Sequence, residues 1–186
     1  LSREFSKDWV VANLNDRGQI LMGQLKEISQ ERLLLKPDLI DLTAIGKAWK
    51  VIYSDQQCAQ ILETQNGTLT LSTRDHKNDP MHIPGVLQDW LKAKAVTELP
   101  EMLHSMASKL ALNFNNVRIK NQKTIWGSCS AKKNINLNQK LLFLPPEVVS
   151  YVLKHELVHL KVFDHSEKFW TELGKYIENP KQFRSI

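Results

Sequence analysis

At 186 residues, with 42% apolar and 24% charged side chains, the chain has the size and composition of one globular domain, which excludes disordered, collagen-like and disulfide-stapled classes. Its two cysteines, Cys58 and Cys129, are far apart and form no CxxC pair, and its densest apolar run, Leu141 to Leu144, is four residues, far short of a membrane span. The net charge of +5 is unevenly spread: Met102 to Pro146 holds no Asp or Glu but carries Lys109, Arg118, Lys120, Lys123, Lys132, Lys133 and Lys140.

That basic 102–146 stretch is either a solvated face or an attractor for an acidic partner or nucleic acid, although no aromatic residues interleave with it as a stacking platform would require. Cysteine usage suits a reducing compartment, and the expected location is the cytoplasm without membrane association. The chain opens on Leu1 and not on Met, so its start is open to truncation and the missing leader is weak evidence.

In chain order, Phe5 to Leu14 and Ile20 to Ile28 have helical spacing, separated by the breaker Asn15-Asp16-Arg17-Gly18. From Ala48 the period becomes two. Ala48–Tyr53, Ala59–Thr64 and Thr68–Thr73 read as strands, with a hairpin turn at Asn66-Gly67. Arg74 to Gly85 is polar with two prolines and reads as a loop. Val86 to Phe114 reads as a long helix with Val86, Trp90, Leu91, Leu99, Leu103, Met106 and Leu110 on one face, kinked or restarted at Pro100.

Val117–Lys120 and Lys123–Ser128 read as strands, Ser130–Asn134 as a turn, and Ile135–Asn138 as a half-exposed strand. Pro145-Pro146-Glu147 opens a helix predicted to run to Val162. Asp164 to Ile177 begins another, with Ser166 as N-cap. The order of elements predicts an α+β fold. Residues 1–45 are expected to form a helical or extended N-terminal segment, and 46–186 the main domain with a β-hairpin region at its start.

The chemistry concentrates in His155-Glu156-Leu157-Val158-His159. Two histidines four apart on a helix stack on one face, so both imidazoles reach one ion. Glu156, rotated by roughly 100° per residue, flanks the ion and can accept a proton from water there. Imidazole nitrogen suits zinc. The opposite helix face (Val149, Val152, Leu153, Leu157, Leu160) is apolar, which makes the helix a rigid support.

His165 lies just past the expected helix end and can return as a third ligand, with Phe169 and Trp170 burying the chain beyond it. Asp164, Glu172 and Glu178 are the competing carboxylates. The histidine spacing is also that of metzincins, but Val162 stands where their turn glycine belongs and no Met follows Met106. Tyr151, one turn before His155, is a packed core residue or an oxyanion donor. Cys129 is a small buried residue in a tight turn, a nucleophile, or a thiolate in zinc's fourth position.

Taken together, Trp126-Gly127-Ser128-Cys129, Leu137-Asn138, Tyr151-Val152, His155, Glu156, His159, His165-Ser166 and Phe169-Trp170 resemble the YgjP-like family of zinc metallopeptidases, and are related in kind to SprT-like proteases. The similarity is densest from Val117 to Trp170. Ile125 departs from the arginine usual in the family at that place, and Gln139-Lys140 from the more frequent Trp-Arg.

The resemblance implies a zincin-like core with a small mixed sheet, a metal-binding helix and flanking helices. It implies Zn2+ held by His155, His159 and His165, and Glu156 as the catalytic base. The expected activity is hydrolysis of peptide or protein substrates by a zinc-bound water. In such folds an edge strand above the metal helix pairs with extended substrate, and that role falls by expectation to Asn134, Ile135, Asn136, Leu137 and Asn138. The rival reading is a nucleic-acid-associated module whose zinc site is structural or vestigial.

Overall fold

The structure, a computed structural model, describes residues 37–54, 60–72 and 82–177. The two helical patterns read before Leu39, and most of the polar loop after Ser72, lie outside the described residues. What is described is α+β, with two small mixed sheets and three helices.

The first sheet contains β1 (Leu39–Leu42), β2 (Lys47–Ser54), β3 (Gln60–Glu63) and β4 (Thr68–Ser72) in the order β1-β2-β4-β3. β3 and β4 form the hairpin that Asn66-Gly67 predicts; Gly67 has φ 71°, a conformation glycine adopts without a Cβ penalty. β2 runs parallel to β4 and antiparallel to β1. Alternation places Trp49, Val51, Leu69 and Leu71 on the buried face.

Helix α1 (His82–Lys109) starts four residues earlier than its periodicity suggests, because Pro84 falls in the first turn, where a missing N–H has no partner to lose. It runs unbroken through Pro100. The carbonyl that this proline cannot serve belongs to Val96, which is exposed, so water can reach it. The buried face is Leu87, Leu91, Ala95, Leu99, Leu103 and Ala107, one residue per turn, while Val86, Met106 and Leu110 are only partly covered. The helix ends before Phe114 because Ala111 turns left-handed (φ 53°) and Leu112 N–H reaches back to Ala107 O.

Sheet and helix are joined by a polar clasp. Glu63 accepts hydrogen bonds from Trp49 Nε1 (3.0 Å), Trp90 Nε1 (3.3 Å) and Lys94 Nζ (2.7 Å), and the two indoles meet edge to face at 5.1 Å.

The second sheet contains β5 (Asn116–Lys120), β6 (Gly127–Cys129) and β7 (Asn134–Asn138) in the order β5-β7-β6. β7 is therefore the central strand, parallel to β5 and antiparallel to β6. This overturns the expectation that Asn134–Asn138 offers a free edge to substrate, since neighbours occupy both sides of its backbone. Ile135, Leu137 and Asn138 are also buried. Asn138, only 1% exposed, ties down the loop before β6 by donating from Nδ2 to Gln122 O and Ile125 O, both at 2.9 Å. The stretch read as a strand from Lys123 pairs only at its end, over β6.

A buried turn at Gln139–Phe143 leads into helix α2 (Pro146–Val158), which opens on the predicted prolines. It stops four residues short of Val162. At its end the bonds tighten to i→i−3, from Leu160 N to Leu157 O and from Lys161 N to Val158 O, which turns the chain back on itself. Helix α3 (Glu167–Leu173) follows. Ser166 occupies its N-cap position without a side-chain cap; its hydroxyl bonds the Asp164 carboxylate instead. α2 packs against β6, α1 and α3.

Candidate metal centre

The early end of α2 places His159 at the C-cap and lets the next six residues carry His165 back over His155. His155 Nε2 lies 3.1 Å from His159 Nε2 and 3.0 Å from His165 Nε2. Among the described residues this is the cluster able to hold an ion. A tetrahedral ion with bonds of about 2.0–2.1 Å sets its nitrogens roughly 3.3 Å apart, so the spacing fits one.

Each ring is held from behind. His159 Nδ1 donates to Val162 O at 3.0 Å; a carbonyl can only accept, so Nδ1 carries the proton and Nε2 keeps a bare lone pair. His155 Nδ1 faces Tyr151 Oη at 3.4 Å. Trp170 Nε1 donates to His165 O at 3.0 Å and fixes the returning chain. Phe169, fully buried, lies under all three rings, with centroids at 4.9 Å (His155), 4.6 Å (His159) and 4.8 Å (His165).

Burial, then the proximity of His159 and His165, lowers the His155 pKa to about 3. Burial also lowers that of His159, against the opposing effect of its bond to Val162. Neutral rings are what ligation requires.

Glu156 is buried beside β6, and burial pushes its carboxyl up to about 8. Its Oε2 has no hydrogen-bond partner within the protein. A buried, unsatisfied carboxylate beside three converging lone pairs is the arrangement that a cation completes. Burial, and then the charge of Glu156, raise the pKa of Cys129 to about 11 and also raise that of Tyr151. Cys129 is therefore a thiol, hydrogen-bonded at 3.7 Å to Ser130 O.

These groups open on a cleft of about 670 Å³, within the usual size of a ligand site. Gly127, Ser128 and Cys129 of β6 line it, as do Ile125, Trp126 and Phe163; none of residues 134–138 does. Of the competing carboxylates, Glu172 is engaged by Lys161 and Lys175, Asp164 by Ser166, and Glu178 lies outside the described residues.

Several contributors carry only weak signals in the sequence. A lone glycine in a strand is the sequence signal for close approach, and Gly127 has it. Phe163 is the aromatic residue in the turn between His159 and His165. Ile125 carries no sequence signal beyond its departure from the family pattern.

The sequence profile described as "YgjP-like, metallopeptidase domain" matches residues 1–186. The chain belongs to the YgjP-like metallopeptidase family. Membership makes it a metal-dependent peptidase by family, with peptides or proteins as its class of substrate. One solved structure, the metallopeptidase zymogen of Methanocaldococcus jannaschii jannalysin, is 28% identical over 45% of this YgjP-like chain and 85% of its own, with a TM-score of 0.40. No curated protein matches. No helix among the described residues of this YgjP-like protein is long and apolar enough to cross a membrane.

Proposed function

We propose that this protein is a zinc-dependent peptidase in which His155, His159 and His165 hold the metal and Glu156 is the general base. The observation that carries this is the convergence of three imidazole Nε2 atoms beside a buried carboxylate whose Oε2 is unsatisfied. A zinc ion there supplies a Lewis acid that acidifies water and polarises a peptide carbonyl.

Glu156 takes a proton on Oε2 and returns it to the leaving amine; burial favours its holding that proton between the two transfers, while the charge of a bound metal would favour the carboxylate that accepts it. Tyr151 and Val162 O orient two of the rings. Among the described residues β6 pairs only with β7, and its three residues line the cleft, so its other edge can hold an extended substrate backbone by ladder hydrogen bonds. Gly127–Cys129 thus takes the role expected of Asn134–Asn138.

The test is Glu156→Gln. The variant should retain about one zinc per chain by metal analysis and lose peptide cleavage on the order of a thousandfold or more. Normal turnover by a zinc-loaded Glu156→Gln protein rejects the proposal.

The second reading, recruitment to an acidic partner or nucleic acid, is favoured by a different observation. Lys109, Arg118, Lys120, Lys123, Lys132 and Lys133 are all exposed, whereas Lys140 is buried. Binding to a DNA duplex that weakens steeply with salt and is unchanged by Glu156→Gln supports it; no binding at low salt removes it.

A further inference from the structure

Six large apolar residues are markedly exposed among the described residues: Leu39, Ile52, Leu62, Val96, Ile125 and Phe163. The first four are remote in chain from the metal centre. Ile125, 40% exposed, and Phe163, 55% exposed, both line the cleft that holds it. They reach it from two separate segments: the loop entering β6 and the turn leaving α2.

Both sit on pinned backbone. Ile125 O accepts from Asn138 Nδ2 at 2.9 Å, and Asn138 N donates to Trp126 O at 2.9 Å, so the loop is bolted to the central strand immediately before β6. Phe163 follows Val162, whose carbonyl accepts from His159 Nδ1, and precedes His165 by two residues. A group gripped by these two side chains is therefore registered against the metal centre with little freedom to slide. The cleft's charge is equally specific. Among the described residues lining it there is no Lys, Arg or Asp, and its carboxylate is Glu156. An acidic substrate side chain would find no Lys or Arg beside Glu156 to pair with, and one that reached the metal would compete with the scissile carbonyl for it. A basic one would find only the carboxylate required for proton transfer.

We infer that Ile125 and Phe163 form a specificity subsite that selects an aliphatic or aromatic substrate side chain beside the scissile bond. The two residues remain exposed because the surface that covers them arrives with the substrate. The inference rests on the peptidase reading and deepens it: the favoured substrates are segments whose apolar side chains are accessible, as in unfolded or loosely packed protein.

The experiment uses the full zinc-loaded chain and a library of matched decapeptides that differ at one residue beside the cleaved bond: Leu, Phe, Gly, Asp or Lys. Cleavage is read by mass spectrometry. The wild type should prefer Leu or Phe over Gly or Asp by about tenfold to a hundredfold in kcat/KM. Phe163→Ser and Ile125→Ser should each shrink that ratio, and the double variant should bring it close to one. Phe163→Leu, which keeps an apolar surface, should retain most of it. Anisotropy of the same peptides, dye-labelled, on zinc-loaded Glu156→Gln protein should give the same rank order without any turnover.

A preference for Gly, Asp or Lys, or a Leu-to-Gly ratio that neither serine variant moves, overturns the inference. If the wild type cuts nothing, the peptidase reading fails. The anisotropy ranking then decides the subsite by itself: an apolar preference lost in Phe163→Ser sustains it, and a flat ranking ends it.

Discussion

Gly127 and Glu156 are fitted to one another: a Cβ added to Gly127 would stand 2.6 Å from Glu156 Oε1 and 2.7 Å from its Cγ. The carboxylate occupies the space that a side chain on β6 would fill. Gly127→Ala must therefore push Glu156 out of the cleft or part β6 from α2. We expect a loss of about a hundredfold or more in kcat, a stability cost of roughly 1–3 kcal/mol from overpacking, and retention of the metal, because none of the three histidines is touched. Steady-state kinetics with metal analysis checks this. Full activity in Gly127→Ala would mean that Glu156 works from another position.

The buried Glu156 makes the metal-free protein pH-sensitive. Its folded pKa, about 8, lies above the ordinary 4.5, so the folded state binds the proton more tightly. The stability it contributes is present below about 4.5 and is lost as pH rises through about 8. Glu156→Gln removes that linkage. In chelator-treated protein the variant should gain on the wild type as pH rises across this window, by an amount on the order of 3–5 kcal/mol at most. His155 acts in the opposite sense: with its pKa lowered to about 3, it costs stability as pH falls below 6.5, in wild type and variant alike. Parallel thermal melts from pH 5 to 9 give the difference. Curves that stay parallel would show that Glu156 is ionised throughout.

Local signals carried much of this into the sequence. The turn at Asn66-Gly67, the helix start at Pro145-Pro146 and the stacking of His155 on His159 depend on residues within a few positions of one another, whereas the approach of His165 depends on where α2 ends. Helix ends were less legible: Ala111 and the turn after Val158 stop their helices by backbone geometry that apolar periodicity does not encode. Strand order was not legible at all. Alternation at Ile135 and Leu137 reports which face is buried but says nothing about how many neighbours flank the strand, so a central strand reads as an edge. The fit of Gly127 to Glu156 joins residues twenty-nine apart in sequence, across a sheet-to-helix contact.

Phe169 should couple metal affinity to folding. It touches all three imidazoles from below, so Phe169→Ala opens a cavity that lets each ring tilt. The expected cost is about 3–5 kcal/mol without metal. Zinc affinity should fall by about tenfold to a hundredfold, the usual effect of losing a group that orients ligands. Phe169→Leu, which fills most of the space, should recover the larger part of both. Competition titration against a chelator, alongside thermal melts, separates the two quantities. Unchanged zinc affinity in Phe169→Ala would show that the backbone alone fixes the rings.

The clasp at Glu63 is remote from the chemistry and ties the first sheet to α1 by polar contacts. Partial burial opposes ionisation of this carboxyl, but hydrogen bonds from Lys94, Trp90 and Trp49, together with the Lys94 charge, outweigh it and hold the pKa below its usual value. A lowered carboxylate pKa contributes stability that is present above the ordinary value and lost as pH falls through the folded one. Glu63→Gln can keep one acceptor for the two indoles but loses the charge-assisted bond to Lys94. It should cost about 1–2 kcal/mol at neutral pH. That difference should narrow as the solution is acidified below the ordinary carboxylate range and close once the pH passes below the lowered folded pKa, where the wild-type side chain is neutral as well. Denaturant melts at pH 7 and pH 3, followed by tryptophan fluorescence, provide the test, since Trp49 and Trp90 report on the clasp directly. A gap that persists undiminished at pH 3 would assign the effect to amide geometry and not to charge.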